Sequence, residues 1–161
     1  MKNLKRLALL LATVMMFFTL TACSSQPTTP TVTNPETNTS TTSKGEVELV
    51  NQNGVKIILV GNLDLNGNIL GPQIKIRVEN NSGRNIIVQT RNTSVNGYSM
   101  DAIMSCGVNN GEKGYDTMLF LNSNLSDAGI TTIQTIKTSF LIADSSTYYT
   151  IFKTDPVTIN F

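Results

Sequence analysis

QIKIRVEN, residues 73–80, alternates apolar and polar side chains along its length. In an extended chain successive side chains point to opposite sides. Ile74, Ile76 and Val78 therefore share one face, and Lys75, Arg77 and Glu79 the other. Period-two alternation of this kind predicts a strand with one face in a core and one in water.

Similar segments lie on both sides of it. Upstream, VELV (47–50) and VKIILVGN (55–62) are rich in β-branched residues and flank Asn53-Gly54, a strong hairpin signal. Downstream, NNSGRN (80–85) reads as a turn and IIVQTRNTSV (86–95) as the next strand. Val95-Asn96-Gly97-Tyr98 predicts a second tight hairpin, leading into a strand over YSMDAIMS (98–105). NNGEKG (109–114) separates it from YDTMLFL (115–121). Asn124 to Ala128 predicts one helical turn, with Asn124 as cap, Asp127 in its first turn and Gly129 as terminator. IQTIKTSFLIA (133–143), YYTIFK (148–153) and VTINF (157–161) complete the strand set, with Pro156 suited to a strand start or an edge.

Some eight short strands, Asn/Gly turns and no long amphipathic helix predict an all-β protein, an immunoglobulin-like antiparallel β-sandwich. The short connections require antiparallel pairing, because parallel neighbours need longer crossovers.

Residues 1–44 have a different composition. Lys2, Lys5 and Arg6 precede an apolar run of fourteen residues, Leu7 to Leu20. A spanning helix needs about 20 residues, so this run fits a secretory signal core instead. Leu20-Thr21-Ala22-Cys23 resembles the lipobox of bacterial lipoproteins. The resemblance implies a lipoprotein signal peptide over 1–22, cleavage before Cys23, and a diacylglyceryl group on the Cys23 thiol. Each buried methylene of an acyl chain contributes about 0.8 kcal/mol, and two chains on one residue make attachment long-lived where one holds only marginally. The expected location is the extracytoplasmic face of the cell membrane, with the membrane contact in the lipid rather than the polypeptide.

Residues 24–44 contain eight Thr, four Ser and three Pro. Such a segment has almost nothing to bury and is expected to stay disordered, spanning about 25 Å as a coil and about 65 Å fully extended. The expected organisation is a signal peptide over 1–22, a lipidated cysteine and linker over 23–44, and a sandwich domain over 45–161.

KIRVENNSGRNIIVQTRNTSVNGYSMDAIMSCGVNNGEKGYDTMLF (75–120), continuing through FLIADSS to TDPVTINF, resembles the C-terminal immunoglobulin-like domain of lipoproteins of the Gram-positive type. An Asn-Asn-Ser turn, a Val-Asn-Gly-Tyr hairpin and a Gly-x-x-Gly turn before an apolar strand carry the likeness. Members of that family often have Trp near the penultimate strand, where this chain has Tyr148 and Tyr149 and no Trp. The resemblance implies a fold and a cell-surface location, and supplies no activity or functional residues.

Charge narrows the partners. Without Lys2, Lys5 and Arg6, nine basic residues face eleven acidic ones, a net charge of −2. No Lys/Arg cluster is present to displace counterions, which argues against nucleic acid, and no basic run suits anionic lipid heads. The chain has no histidine, which removes Ser-His-Asp and Cys-His arrangements and His-containing zinc sites. No Ser-x-x-Lys occurs either. No cofactor is expected and the reading is non-enzymatic.

Four candidate sites remain. Cys106 is a reactive thiol or a small buried apolar residue, and its neighbours Met104 and Val108 favour the latter. Asp64, Asn66 and Asn68 have calcium-loop spacing, but Gly67 is misplaced and Lys75 stands where an EF-hand needs glutamate. Asp101, Glu112, Asp116 and Asp127 fall near expected turns, where solvation accounts for them. Tyr148 and Tyr149 are expected on opposite faces of a strand, so one points outward. An exposed Tyr there is a recognition anchor, but Tyr is also a good β-former, and packing in the core or at an edge is the favoured reading.

The leading functional expectation is a lipid-anchored, extracytoplasmic sandwich that binds a partner or supports the envelope without catalysis. Protein, peptidoglycan or another envelope component are all admissible partners. The alternative is a small-ligand or calcium receptor accessory to a transporter; a histidine-free hydrolase built on the four acidic residues ranks last.

Overall fold

A computed structural model describes residues 31–33, as backbone, and 45–161. The leader, Cys23 and the rest of the linker lie outside the described residues. Among the described residues eleven strands make two antiparallel sheets, with one short helix beside them. They are β1 (Thr31–Thr33), β2 (Glu46–Gln52), β3 (Val55–Asp64), β4 (Gln73–Asn80), β5 (Ile86–Val95), β6 (Tyr98–Ser99), β7 (Ser105–Val108), β8 (Lys113–Leu119), α1 (Asn122–Asp127), β9 (Thr135–Asp144), β10 (Thr150–Lys153) and β11 (Val157–Asn160).

One sheet runs β2-β3-β4-β8. The other runs β1-β11-β9-β5-β6, with β10 also on β9 and β7 also on β5. The non-consecutive pairs β4–β8 and β5–β9 interlock the two sheets in sequence. This is the immunoglobulin-like pattern, with its fourth strand, β7, paired to β5 rather than to β8. The all-β sandwich read from the sequence is the observed fold.

The alternation of residues 73–80 positions the core. Ile74, Ile76 and Val78 are fully buried, and β3 contributes Val55, Ile57 and Leu59 beside them. Phe140, Ile136 and Ile142 of β9, Ile86 and Val88 of β5, and Ile159 of β11 face them from the other sheet. Burying such side chains contributes roughly 1.5–3 kcal/mol each. Thr93 and Thr138 place two hydroxyls in this apolar layer, satisfied by each other at 2.7 Å.

Both expected hairpins form. Asn53 and Gly54 have φ of 51° and 76°, and Asn96 and Gly97 have 49° and 87°, the paired left-handed geometry that two-residue hairpins require. The expected strand over YSMDAIMS does not form as one piece. Tyr98 and Ser99 pair with β5; the chain then crosses to the other sheet, where Ile103 bridges Leu119, and returns to β5 as β7 from Ser105.

The helix starts earlier than expected, at Asn122, with Leu121 in the cap position and no side-chain cap. Asn124 is inside it and Asp127 ends it. Gly129 terminates it as expected, at φ 66°. Gly129 N–H donates to Ser126 and Ile130 N–H to Leu125, a Schellman closure.

Thr31–Thr33 is the largest departure from the expected linker. It pairs with β11, Thr31 opposite Asn160 and Thr33 opposite Thr158. Thr and Val are good β-formers, and an open edge presents unpaired backbone groups that such a segment satisfies.

The registers define two poles. At one lie the turns 53–54, 81–85, 109–112 and 145–149. They are tied together by Asn81 N–H to Gly54 at 2.7 Å, Gly83 N–H to Asn110 Oδ1 at 2.8 Å, Asn110 N–H to Asn85 Oδ1 at 2.9 Å and Ser145 N–H to Asn85 at 3.1 Å. At the other lie the β3–β4 loop, the 96–97 turn, α1, Asn160 and, through β1, Thr31.

Candidate functional site

The asparagine-rich turns form one continuous surface because Asn80 fastens two of them. This residue is fully buried. Its side-chain amide donates to the carbonyls of Arg84 at 2.8 Å and Val108 at 3.0 Å, and its Oδ1 accepts from Ser82 N–H and Oγ–H. Its backbone N–H donates to Glu112, and its carbonyl accepts from Gly111. Every hydrogen-bonding group of the residue is used, which joins the β4–β5 turn to the β7–β8 turn.

The tyrosine pair belongs to this pole. Tyr148 and Tyr149 lie in the β9–β10 turn, before β10 begins at Thr150, so the expected placement on a strand is corrected. Both rings point into solvent, 73% and 79% exposed, rather than one in and one out. Asp144 holds the turn: its carboxylate accepts from Ser146 Oγ–H at 2.6 Å, from Ser146 N–H at 3.0 Å and from Thr147 N–H. The Ser146 hydroxyl bond, followed by those N–H groups, holds the Asp144 carboxyl below its ordinary range. Tyr148 N–H donates to the Asp144 carbonyl, and Asp144 N–H to Tyr149. Tyr148 has φ 60°, left-handed backbone that costs a non-glycine residue about 1–2 kcal/mol. With 73% of its surface in water, the ring recovers little of that by packing within the fold.

The other candidates are dispersed. Asp64 Oδ1 accepts from Asn66 N–H at 3.0 Å, and Asn68 Oδ1 from Leu70 N–H at 2.9 Å, so two of the three calcium candidates cap their own loop. Asp116 lies in β8 rather than at a turn, and its carboxylate accepts from Ser105 and Thr117 N–H. Glu112 is at the asparagine pole, Asp127 at the opposite pole, and Asp101 in the β6–β7 crossing. Among the described residues no three His, Cys, Asp or Glu side chains gather in metal-binding geometry.

Cys106 packs in the core at 4% exposure, opposite Val88. Burial first, and the Asp116 charge second, push its thiol up to about 11. At neutral pH it is a thiol, and thiols are poor nucleophiles.

A charged lattice that the sequence reading passed over covers the outer face of the other sheet. The Arg77 guanidinium makes a two-pronged contact with Glu46, the Nη2–Oε2 arm at 2.9 Å, while its Nε reaches Glu79 at 3.2 Å. Lys113 adds a bond to Glu79, and Lys56 pairs with Glu48. The hydrogen bond to Glu46 is the main cause holding Arg77 firmly protonated. Ile58 lies between these strands and is 5% exposed although it sits on the outer face. The lattice thus shields an apolar residue.

Comparison with family models, with curated proteins and with solved structures gives no match to this chain.

Proposed function

We propose that this chain is a lipid-anchored protein of the extracytoplasmic membrane face, whose sandwich presents a non-catalytic binding surface to an envelope partner. The lipobox at Leu20–Cys23 and the Thr/Ser/Pro segment support the anchor. The observation carrying the binding reading is Tyr148, an exposed aromatic ring on a left-handed residue beside a second exposed ring. Backbone strain that the fold does not repay is concentrated at sites used for something else. Tyrosine supplies large, rigid contact area at low entropic cost.

Thr31 lies at the pole opposite these rings. A chain tethered through Cys23 therefore turns its tyrosine pole away from the membrane, where a partner in the cell wall or on another protein meets it. In this proposal the lipid localises, the linker gives reach, and the Asp144-braced turn provides the contact.

Photo-crosslinking on intact cells tests both parts. A crosslinker at Thr147 is expected to trap an envelope component, and substitution of both tyrosines by serine to reduce the yield; capture no greater than that of denatured protein refutes the binding role. Cys23→Ser is expected to release the chain from the membrane fraction.

A further inference from the structure

The β3–β4 loop exposes three aliphatic side chains within six residues: Leu65 at 60%, Ile69 at 95% and Leu70 at 54%. Single exposed aliphatics are ordinary, whereas a cluster at one loop tip marks a contact surface. Ile69 and Leu70 are the central residues of a β-turn closed by Gly71 N–H to Asn68, at 3.2 Å. Turn centres favour Gly, Pro, Asn, Asp and Ser, so turn chemistry does not call for these two residues.

The loop is also held firmly. The Leu70 carbonyl accepts from Asn122 N–H at 2.8 Å, the Pro72 carbonyl from Phe120 N–H at 2.9 Å, and Leu70 N–H donates to Asn68 Oδ1. A β-carbon on Gly71 would lie 1.9 Å from the Phe120 carbonyl oxygen, so only glycine allows this approach. The aliphatic tip is therefore displayed on a braced frame, and a surface meeting it has little ordering entropy to overcome.

The position of the tether selects the occupant. Thr31 lies at the same pole as this loop. Only eight residues, Cys23 to Pro30, separate the expected acyl chains from it. They reach at most about 29 Å when fully extended. Resting on the anchoring reading above, we infer that Leu65, Ile69 and Leu70 form a second contact with the bilayer that holds Cys23, seating their side chains at the boundary of headgroups and acyl chains. The only charged residue from Gly61 to Pro72 is Asp64. The contact is therefore apolar in origin, does not need anionic lipid, and persists in high salt.

The chain has no tryptophan, so one indole reports on one place. Full-length Ile69→Trp and Tyr148→Trp chains, matured in a bacterial host and checked for acyl mass, are reconstituted in phosphatidylcholine vesicles with brominated acyl chains. The expected result is a blue-shifted, bromine-quenched emission for the indole placed at residue 69, unchanged in high salt, and none for that at residue 148. An acylated protein whose loop indole keeps its aqueous emission overturns the loop contact and leaves the anchor standing. A shift that follows protein concentration and ignores bromine assigns the loop to a second copy of the chain, and also overturns it. A chain without acyl mass overturns the anchor and, with it, the loop contact.

Discussion

The side-chain amide of Asn80, at the end of β4, donates to the backbone carbonyl of Val108, at the end of β7, over 3.0 Å. The two residues belong to different sheets. The bond therefore closes one end of the sandwich and fixes the surface that carries the tyrosine pair.

Asn80→Ala would remove the buried bond to the Val108 carbonyl and the bond to Arg84, and release Ser82. Leaving buried polar groups unpaired makes a loss of about 3 kcal/mol the expected outcome. Asn81→Ala, at an exposed neighbour, is expected to leave stability nearly unchanged. Urea denaturation of both variants measures the difference, and equal midpoints would contradict the role given to Asn80.

Arg77 and Glu46 are separated by 31 residues in sequence and meet across β3. Their side chains are only 13% and 17% exposed. A double-mutant cycle with Arg77→Met and Glu46→Gln is expected to give a coupling of roughly 1–2 kcal/mol, above the range of exposed pairs. Arg77→Lys is not expected to restore it, because an ammonium cannot grip both carboxylate oxygens. A coupling near zero would show that the lattice merely decorates the sheet.

How much of this the sequence disclosed depended on whether the signal was local. The Asn53-Gly54 and Asn96-Gly97 hairpins and the alternation at 73–80 arise from neighbouring residues, and each forms as expected. Gly129 ends its helix for the same reason. The crossing at Met100–Met104 is hidden, because Asp101 alone interrupts its apolar residues while its backbone changes sheets. Asn80 looked like one more turn asparagine; its role depends on Val108, distant in sequence. The β-propensity of Tyr148 and Tyr149 predicts a strand, which the Asp144-centred turn overrides. The β-propensity of Thr31, Val32 and Thr33 is outweighed in the sequence by the Thr/Ser/Pro composition around them, and their pairing depends on the open edge of β11.

Cys106 gives the fold an alkaline limit. Its thiol pKa rises on folding, from about 9 to about 11. Below pH 9 both states hold the proton and stability is at its full value. Between 9 and 11 the unfolded chain ionises first, so stability declines by on the order of 2 kcal/mol. Cys106→Ala is expected to flatten this decline in urea titrations across that range. An unaltered alkaline slope in the variant would assign the effect to other groups.

Tyr148 is expected to be replaceable without loss of stability. Asn tolerates left-handed backbone better than an aromatic residue, so Tyr148→Asn should hold stability or raise it by up to about 1 kcal/mol. Thermal unfolding reads this directly. A clear fall in the melting temperature would mean that the ring does support the fold, removing the strain argument for a binding surface.

The proposed membrane anchor rests on Cys23. Mass spectrometry of the N-terminal peptide from the membrane-extracted native chain tests it most directly. The expected product begins at Cys23 and carries the added mass of a diacylglyceryl group on its sulfur. A peptide that retains residues 1–22, or a Cys23 with a free thiol, would contradict the account.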